Sequence, residues 1–408
     1  MSLEWIEHEV DALFDEMVAI RRDFHENPEL SFEEVRTPRI IAEYLNELGL
    51  VVRTQVGGRG VVGILKGGKP GKTIAMRADF DALPIEDLKD VPYKSKTPGI
   101  MHACGHDGHT AALLGAAKVL TKYKDQINGN VVFLFQHAEE KHPGGAVAMI
   151  EDGCLEGVDV IFGAHLQSMM PAGNIYYHDE GHILAAADMF RIKIIGKGGH
   201  GAMPHSSIDP IMIGSQLIVN LQQIVSRMVN PLESAVLSIG SFHAGTANNV
   251  IPETAEITGT VRTYNPETRK KMESLIGKMT KAICETVGAS YDYFYEKGYD
   301  SAQNDKVETE YIKQLAIRIV GDEKVQIHRP FMAGDDFSYY LKERPGSFFI
   351  VGGAMSDPSL VFPHHHPRFD FDEKALLTMA KMFVASVTEY EENVVARRDY
   401  SESKKTLI

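Results

Sequence analysis

Apolar positions recur along the chain at two periods, which separate predicted helices from predicted strands. A period near 3.6 runs through residues 3–26 and 34–48 and predicts helices that end before Pro28 and at Gly49. Further helical stretches lie near residues 108–122 and 144–152. Short runs rich in β-branched residues predict strands at 51–56, 61–66, 73–78, 131–136 and 158–164. This alternation predicts an α/β layer with a mixed, mostly parallel sheet.

The order of elements changes after about residue 184. The pattern there predicts strand, helix, strand, strand, helix and strand, at residues 188–196, 208–228, 234–243, 254–263, 266–287 and 290–296. The order βαββαβ is typical of a ferredoxin-like domain. The last third of the chain returns to helices and one strand, predicted at residues 305–319, 335–342, 347–351 and 372–393. We therefore expect a split first domain, at residues 1–184 and 298–408, with a ferredoxin-like domain inserted at 185–297.

Composition and charge narrow the classes of function. Apolar residues make up 44% of the 408 positions and charged residues 24%, which is typical of a globular protein. No apolar run reaches the roughly 18 residues that span a bilayer, and the acidic, helix-patterned start fits no targeting peptide, so we expect a cytoplasmic protein without membrane contact. The net charge of −14, without a basic cluster, argues against nucleic acid as a partner.

Histidine and cysteine point to the chemistry. Cys104, Cys154 and Cys284 are far apart, so neither a disulfide framework nor a CxxC zinc site is available, and we expect the last two in the core. Many of the 17 histidines lie in clusters, at positions 102/106/109, 137/142, 200/205 and 364/365/366. Such clusters are typical of metal or acid–base chemistry, and surface histidines are the alternative for several of them.

Several candidate groups come directly after predicted strands or before a predicted helix. They are Asp79 with Asp81, Cys104 with His106 and Asp107, Glu139 with Glu140, and His165. Ligands bind beyond the carboxyl ends of strands in open α/β sheets, so we expect these segments to converge. Together they supply the thiolate, imidazole and carboxylate groups of a metal site.

Individual residues keep alternatives open. Cys104 is an inert thiol, a nucleophile or a metal ligand, and the short spacing to His106 favours the ligand. Glu139 and Glu140 are either two solvated surface acids or a functional pair, in which one carboxylate binds metal and the other deprotonates water. His165 is a ligand or a core histidine. At least one histidine of 364–366 is expected to bind, whereas His102 and His109 are expected to support ligands through hydrogen bonds.

Six segments carry a resemblance to a known family. They are RADFDALP (77–84), MHACGHDGHT (101–110), FQHAEE (135–140), GKGGHGAMPH (196–205), NVIP (249–252) and HHPRF (365–369). With them the sequence resembles the M20 metallopeptidase and amidohydrolase family, in particular its aminoacylase-like branch. That branch includes N-acyl-amino-acid amidohydrolases, hippurate hydrolases and plant auxin-conjugate hydrolases.

The resemblance implies a zinc-exopeptidase-like catalytic domain with two divalent metal ions. The implied ligands are Cys104, His106, Glu140, His165 and His365. Glu139 is the implied general base. We expect Asp81 and His102 to support the ligands. The mixed set of thiolate, imidazole and carboxylate ligands suits zinc, whereas the resemblance favours manganese.

The resemblance also gives the inserted domain a role. It implies a lid that forms a homodimer, in which His200 reaches the partner's active site and stabilises the developing oxyanion, and Asn249 contacts substrate. Three departures stand out: His137 replaces a usual proline, Ala164 a usual leucine, and Asp335 a usual glutamate.

The expected reaction is hydrolysis of the amide bond of a small N-acyl amino acid, of N-acetyl or N-benzoyl type. One alternative is a dipeptidase or carboxypeptidase of the same family. Another is a catalytically silent metal-binding protein that contacts partners, and the intact Glu139 argues against it.

Overall fold

The computed structural model of the chain describes residues 3–178 and 181–390. Within these ranges the α-helices are α1 (Glu4–Asp11), α2 (Phe14–Glu26), α3 (Arg36–Glu47), α4 (His106–Lys122), α5 (Ala146–Glu151), α6 (Pro210–Gln223), α7 (Pro266–Thr286), α8 (Lys306–Val320), α9 (Phe337–Glu343) and α10 (Ala375–Thr388). The strands of the same ranges are β1 (Val51–Val56), β2 (Gly60–Lys66), β3 (Lys69–Asp79), β4 (Asn128–Gln136), β5 (Val160–Pro171), β6 (Ile175–Tyr177), β7 (His182–Leu184), β8 (Ala186–Ile195), β9 (Gly199–His200), β10 (Ala235–Ala244), β11 (Val250–Ile251), β12 (Thr254–Thr263), β13 (Ser290–Glu296), β14 (Ala302–Gln303), β15 (Val325–Ile327) and β16 (Gly346–Ala354).

Residue contacts divide the chain into two compact units. The first takes its described residues from Met1–Gly181, Gln303–Arg329 and Tyr339–Ile408, and the second consists of His182–Ala302 and Pro330–Ser338. The sequence expectation placed residues 330–338 with the catalytic domain. In the structure the Ala185 amide donates to the Ala333 carbonyl at 2.9 Å, which ties this short segment to the second unit.

The first unit is built on an eight-stranded mixed sheet in the order β1-β2-β4-β3-β5-β16-β6-β15. The four central strands, β4, β3, β5 and β16, run parallel to one another. Strands β1 and β2 are antiparallel at one edge, and β6 runs antiparallel to β16 near the other. The predicted mixed, mostly parallel sheet is therefore confirmed.

The central strands are apolar because they are buried on both faces. In β4 the run Val131, Val132, Phe133, Leu134 and Phe135 is buried throughout. Parallel strands covered by helices on both faces read as such continuous apolar runs. Helix α4 packs against α2 and α10, and α8 packs against β16, so the core lies between these helices and the sheet.

The second unit contains an antiparallel four-stranded sheet in the order β10-β12-β8-β13, with α6 and α7 packed together. Along β8, Phe190, Ile192 and Ile194 are buried, whereas Met189 and Lys193 are exposed, which is the period of a sheet with one covered face. The element order βαββαβ and this strand order confirm the ferredoxin-like prediction.

Some predicted elements differ from the observed ones. The helix predicted over residues 3–26 is divided into α1 and α2, because Leu13 (φ −99°, ψ 4°) departs from helical geometry. The short strands β6, β7, β9, β11, β14 and β15 were not predicted, since two or three residues carry no readable period. The last predicted helix extends to residue 393, and residues 391–393 lie outside the described residues. Among the described residues, no helix combines the length and hydrophobicity needed to cross a bilayer.

Candidate active site

Polar side chains of the first unit gather at the carboxyl ends of its parallel strands. Strand β3 ends at Asp79, and Asp79 pairs with Gln136, the last residue of β4. Strands β3 and β5 pair Arg77 with Gly163, so His165 comes level with Asp79 two residues later. Strand β5 continues beyond His165, so this residue lies within the strand and not after it, where the sequence predicted it. This edge of the sheet therefore brings the residues after β3 and β4 close to β5, as parallel strands do in open α/β sheets.

The loop before α4 places Cys104 and His106 at this edge. Gly105 lies between them with φ +97°, a conformation that side chains rarely adopt, and it permits the sharp turn into the helix. The helix then begins at His106, whose ring is buried. The amide of His365 donates to the Ala103 carbonyl at 2.8 Å, which joins the histidine-rich loop to the same place.

The side chains form one cluster of potential ligand atoms. Nε2 of His106 lies 3.8 Å from Oε2 of Glu139 and 3.9 Å from Oε1 of Glu140. Oε1 of Glu140 lies 3.3 Å from Nε2 of His365, and Cys104 Sγ lies 3.5 Å from Nε2 of His165. Three sets made only of these residues have donor atoms within 4.8 Å of one another: Cys104/His106/His165, Cys104/Glu140/His365 and His106/Glu139/Glu140.

Hydrogen bonds fix which nitrogen of two histidines is free to bind a cation. Nδ1 of His106 faces the carbonyl of Asp81 at 3.0 Å, so this nitrogen carries the proton. Nδ1 of His165 faces the carbonyl of Leu166 at 2.5 Å, with the same consequence. Nε2 is therefore the nitrogen of each ring that can give a lone pair to a cation. Nε2 of His106 is buried and has no hydrogen-bond partner among the described residues, which fits a metal ligand.

His109 lies next to the cluster, but both of its nitrogens are in use. Nδ1 contacts Oδ1 of Asp79 at 2.6 Å, and Nε2 accepts a 2.9 Å hydrogen bond from the amide of Leu166. Asp79 in turn accepts from Nη1 of Arg77 at 2.6 Å. His109 therefore supports the site without offering a lone pair to a metal.

The electrostatics of the cluster favour a bound cation. Burial lowers the pKa of His106, but the carboxylates of Asp79, Asp81 and Glu140 outweigh it and raise the pKa to about 10. Burial and the charges of Glu140 and Glu139 raise the pKa of the Cys104 thiol well above its usual range. Both shifts report a strongly negative environment, which a divalent cation neutralises. The donor set and this environment fit a divalent metal centre.

Asp81 accepts from the backbone of the acidic pair and is itself held by Ser31. Oδ2 of Asp81 accepts from the Glu140 amide at 3.0 Å and from Oγ of Ser31 at 2.6 Å. His102 is buried, but neither of its ring nitrogens has a hydrogen-bond partner among the described residues. The hydrogen bond expected from His102 to a ligand therefore has no counterpart among these contacts.

Two side chains near Glu139 and Glu140 make contacts that the sequence did not predict. Oε1 of Glu34 accepts a 2.9 Å hydrogen bond from the amide of Ala138, and Glu34 carried no signal in the sequence. His137, noted only as a departure from the family pattern, packs edge-on against Phe32, with ring centroids 5.9 Å apart. Burial lowers the pKa of His137 to about 4, so this ring is neutral at pH 7.

His200 and Asn249 lie together in the second unit. His200 is in β9, where it pairs with Val250 of β11, and the Gly201 amide donates to the Asn249 carbonyl at 2.8 Å. Both side chains are exposed. Nδ1 of His200 accepts a 3.0 Å hydrogen bond from the amide of Ala202, so the proton of the neutral ring is on Nε2, which can donate.

Comparison with known proteins identifies the family to which this fold and site belong. Residues 75–389 match the family model described as peptidase family M20/M25/M40. The protein YhaA of Bacillus subtilis, named as an amidohydrolase, is 51% identical over 396 residues, which cover 96% of this chain and 100% of the relative. The N-acyl-L-amino acid amidohydrolase of Geobacillus stearothermophilus is 48% identical over 301 residues, which cover 73% of this chain and 80% of the relative.

A solved structure shares the fold. The YxeP protein of Bacillus subtilis, described as a dinuclear metal-binding peptidase from the M20 family, superposes with a TM-score of 0.80 at 35% identity. The match covers 94% of this chain and 100% of the YxeP chain. The family match and the identity to these relatives together show that the chain belongs to peptidase family M20/M25/M40.

Proposed function

We propose that the chain hydrolyses the amide bond of N-acyl amino acids and releases an amino acid and a carboxylate. The family and its amidohydrolase relatives make it a metal-dependent amide hydrolase of the dinuclear type. The observation that carries the proposal is the position of Glu139, whose Oε2 lies 3.8 Å from the free Nε2 of His106. A carboxylate beside a set of metal ligands is placed to act on a metal-activated water.

The roles divide among the clustered side chains. When bound, two divalent ions polarise the amide carbonyl and lower the pKa of a water molecule. The residues that would hold them are Cys104, His106, Glu140, His165 and His365. His365 is favoured over its neighbours as a ligand because its Nε2 points at Glu140, at 3.3 Å. Zinc and manganese both suit this donor set.

Glu139 acts as general base and then as general acid. It takes the proton of the attacking water and returns it to the leaving nitrogen, which otherwise departs as an unstable anion. Asp81 helps to keep the carboxylate in place, since it holds the adjacent amide of Glu140 at 3.0 Å. Proton transfer of this kind typically contributes about 10²–10⁴-fold to the rate.

The substrate class is supported by the Geobacillus relative, which is named for N-acyl-L-amino acids. A second candidate function, cleavage of peptides by the same chemistry, is supported by the description of YxeP as a peptidase. Both kinds of substrate present an amide bond to the same metal centre. The pocket that binds the acyl group therefore decides which kind is hydrolysed faster. A catalytically silent role is disfavoured by the intact Glu139.

The remaining assignments belong to the same proposal. The ferredoxin-like unit serves as a lid and joins two copies of the chain, with His200 as oxyanion donor and Asn249 as substrate contact; their exposure in the second unit supports this. His102 also has a supporting role in this proposal, since it is buried within electrostatic range of His106 and Asp81. Cysteines 104, 154 and 284 are unpaired, which suits the cytoplasm.

A substrate screen tests the proposal. The protein is stripped of metal, reconstituted with manganese, zinc or cobalt, and assayed with N-acetyl amino acids, hippurate and dipeptides. We expect hydrolysis of N-acyl amino acids to exceed that of dipeptides by at least about tenfold in kcat/KM. Faster dipeptide cleavage would establish the peptidase alternative. No hydrolysis by any metal form, with metal bound, would leave only the silent role.

A further inference from the structure

His364 lies against the sulfur of Cys104 and is not accounted for by the proposed set of ligands. Its Nδ1 is 3.5 Å from Cys104 Sγ, a normal distance for a nitrogen–sulfur hydrogen bond. Its other nitrogen, Nε2, is 3.3 Å from the backbone nitrogen of Ser168. The ring therefore bridges a backbone amide and a thiol.

The backbone amide of Ser168 determines which nitrogen of the His364 ring carries the proton. A backbone N–H can only donate, so Nε2 of His364 must accept and must carry a lone pair. A ring with a lone pair on Nε2 is a neutral imidazole, because both nitrogens of the charged form carry protons. The neutral ring has one proton, which is then on Nδ1 and points at Cys104.

The surroundings hold this ring in place. Ser168 lies in β5, and its hydroxyl donates to the carbonyl of Phe362 at 2.8 Å, which joins the strand to the histidine-rich loop. The His364 ring packs against Phe369, with ring centroids 4.9 Å apart. His365 turns away from this position because its φ is +63°, and its ring faces Glu140 instead. Adjacent histidines therefore have different targets.

We propose that His364 is a positioning residue that donates its Nδ1–H to the thiolate of Cys104. This inference rests on the proposed function, in which the thiolate is a metal ligand. A hydrogen bond to a ligating thiolate orients it and reduces the electron density that it gives to the metal. The same proton argues against Cys104 as a nucleophile activated by His364, since a ring that donates to sulfur cannot also remove its proton.

Cobalt substitution tests the inference because a cobalt(II)–thiolate bond gives a charge-transfer band in the near ultraviolet. His364→Gln places its amide nitrogen near the old Nε2 position, whereas His364→Asn places it near Nδ1. We expect the band to move to longer wavelength in His364→Gln and in His364→Leu, and to return towards the wild-type position in His364→Asn. His366→Leu is the matched control from the same loop and should leave the band in place.

Cobalt content and turnover of an N-acyl amino acid are measured on the same samples. A band that stays in place in both His364→Gln and His364→Leu overturns the inference and leaves the proposed function standing. Loss of one cobalt per chain in these variants makes His364 a ligand and also overturns it. A wild-type protein without any thiolate band overturns the inference together with the proposed ligand set. A band that responds as expected, in a protein that cleaves no N-acyl amino acid, defeats the proposed function alone.

Discussion

The amide of Ala138 donates a 2.9 Å hydrogen bond to Oε1 of Glu34, and Ala138 immediately precedes the proposed general base, Glu139. Ala138 has φ +53°, a left-handed conformation that is uncommon for residues other than glycine. Glu34 is fully buried, and burial together with the charge of Asp81 raises its pKa to about 8. A buried carboxyl group therefore stabilises the strained backbone that presents the base.

Glu34→Ala is expected to lower kcat by about ten- to a hundredfold, because a buried amide without an acceptor costs about 1–3 kcal/mol and the loop relaxes. Glu34→Gln keeps an acceptor at the same position and should stay within about threefold of wild type. Metal content should remain unchanged in both variants. Steady-state kinetics with metal analysis measure the effect, and wild-type kcat in Glu34→Ala would show that the loop holds its shape without this contact.

The roles of the adjacent acids separate in a pair of matched substitutions. Glu139→Gln should lower kcat by about 10²–10⁴-fold while metal content stays at the wild-type level, since a general base is needed for proton transfer and not for ligation. Glu140→Gln should lose metal, because it removes a charged ligand. Metal analysis of the dialysed proteins distinguishes the two. Equal metal depletion in both variants would contradict the division of roles.

The sequence predicts those parts of the site in which potential ligand residues lie at the ends of predicted strands or helices. Acidic residues and His165 after predicted strands, with Cys104 and His106 before a predicted helix, indicated a metal site, and the regular period of strand 254–263 gave the bounds of β12. Both signals are local. Because a strand period or a strand end is visible within about ten residues, the sequence alone predicted these features.

Glu34 and His364 could not be assigned from the sequence, for physical reasons. The contact of Glu34 joins residues 104 positions apart, and a glutamate in a helical pattern gives no sign that it will be buried. Three adjacent histidines look alike until the backbone is known. The positive φ of His365 then directs one ring to Glu140 and leaves another at Cys104.

The pH dependence of stability should include a contribution from His328, which lies in the first unit after β15. Burial and the nearby His178 lower its pKa from 6.5 to about 4. Between these values the unfolded chain binds a proton that the folded chain does not, so the free energy of unfolding falls as pH falls from 6.5 towards 4. His328→Gln removes the imidazole that titrates, so this decrease in the free energy of unfolding should be absent in the variant.

The measurement compares wild type and His328→Gln by urea unfolding at pH 7.5 and pH 5. The stability of the wild type relative to the variant should decrease at pH 5 by on the order of 1 kcal/mol, allowing for partial solvent screening of the ring. A difference that is the same at both pH values would show that this histidine is not shifted in solution.

The proposed role of His200 gives the most specific prediction, because it requires two copies of the chain. His200 is exposed in β9, and because Nδ1 accepts from the Ala202 amide, Nε2 carries the proton that an oxyanion donor needs. Removal of one such donor typically costs about 10²–10³ in kcat, so His200→Ala should lose activity on that scale with unchanged metal content. His205→Ala, from the same loop, is the control and should keep its activity. Mixing His200→Ala with Glu139→Gln should restore part of the turnover, because one site of a mixed dimer then combines an intact Glu139 with the intact His200 of the other chain. No recovery, after labelled subunits are shown to exchange, would place the action of His200 within its own chain.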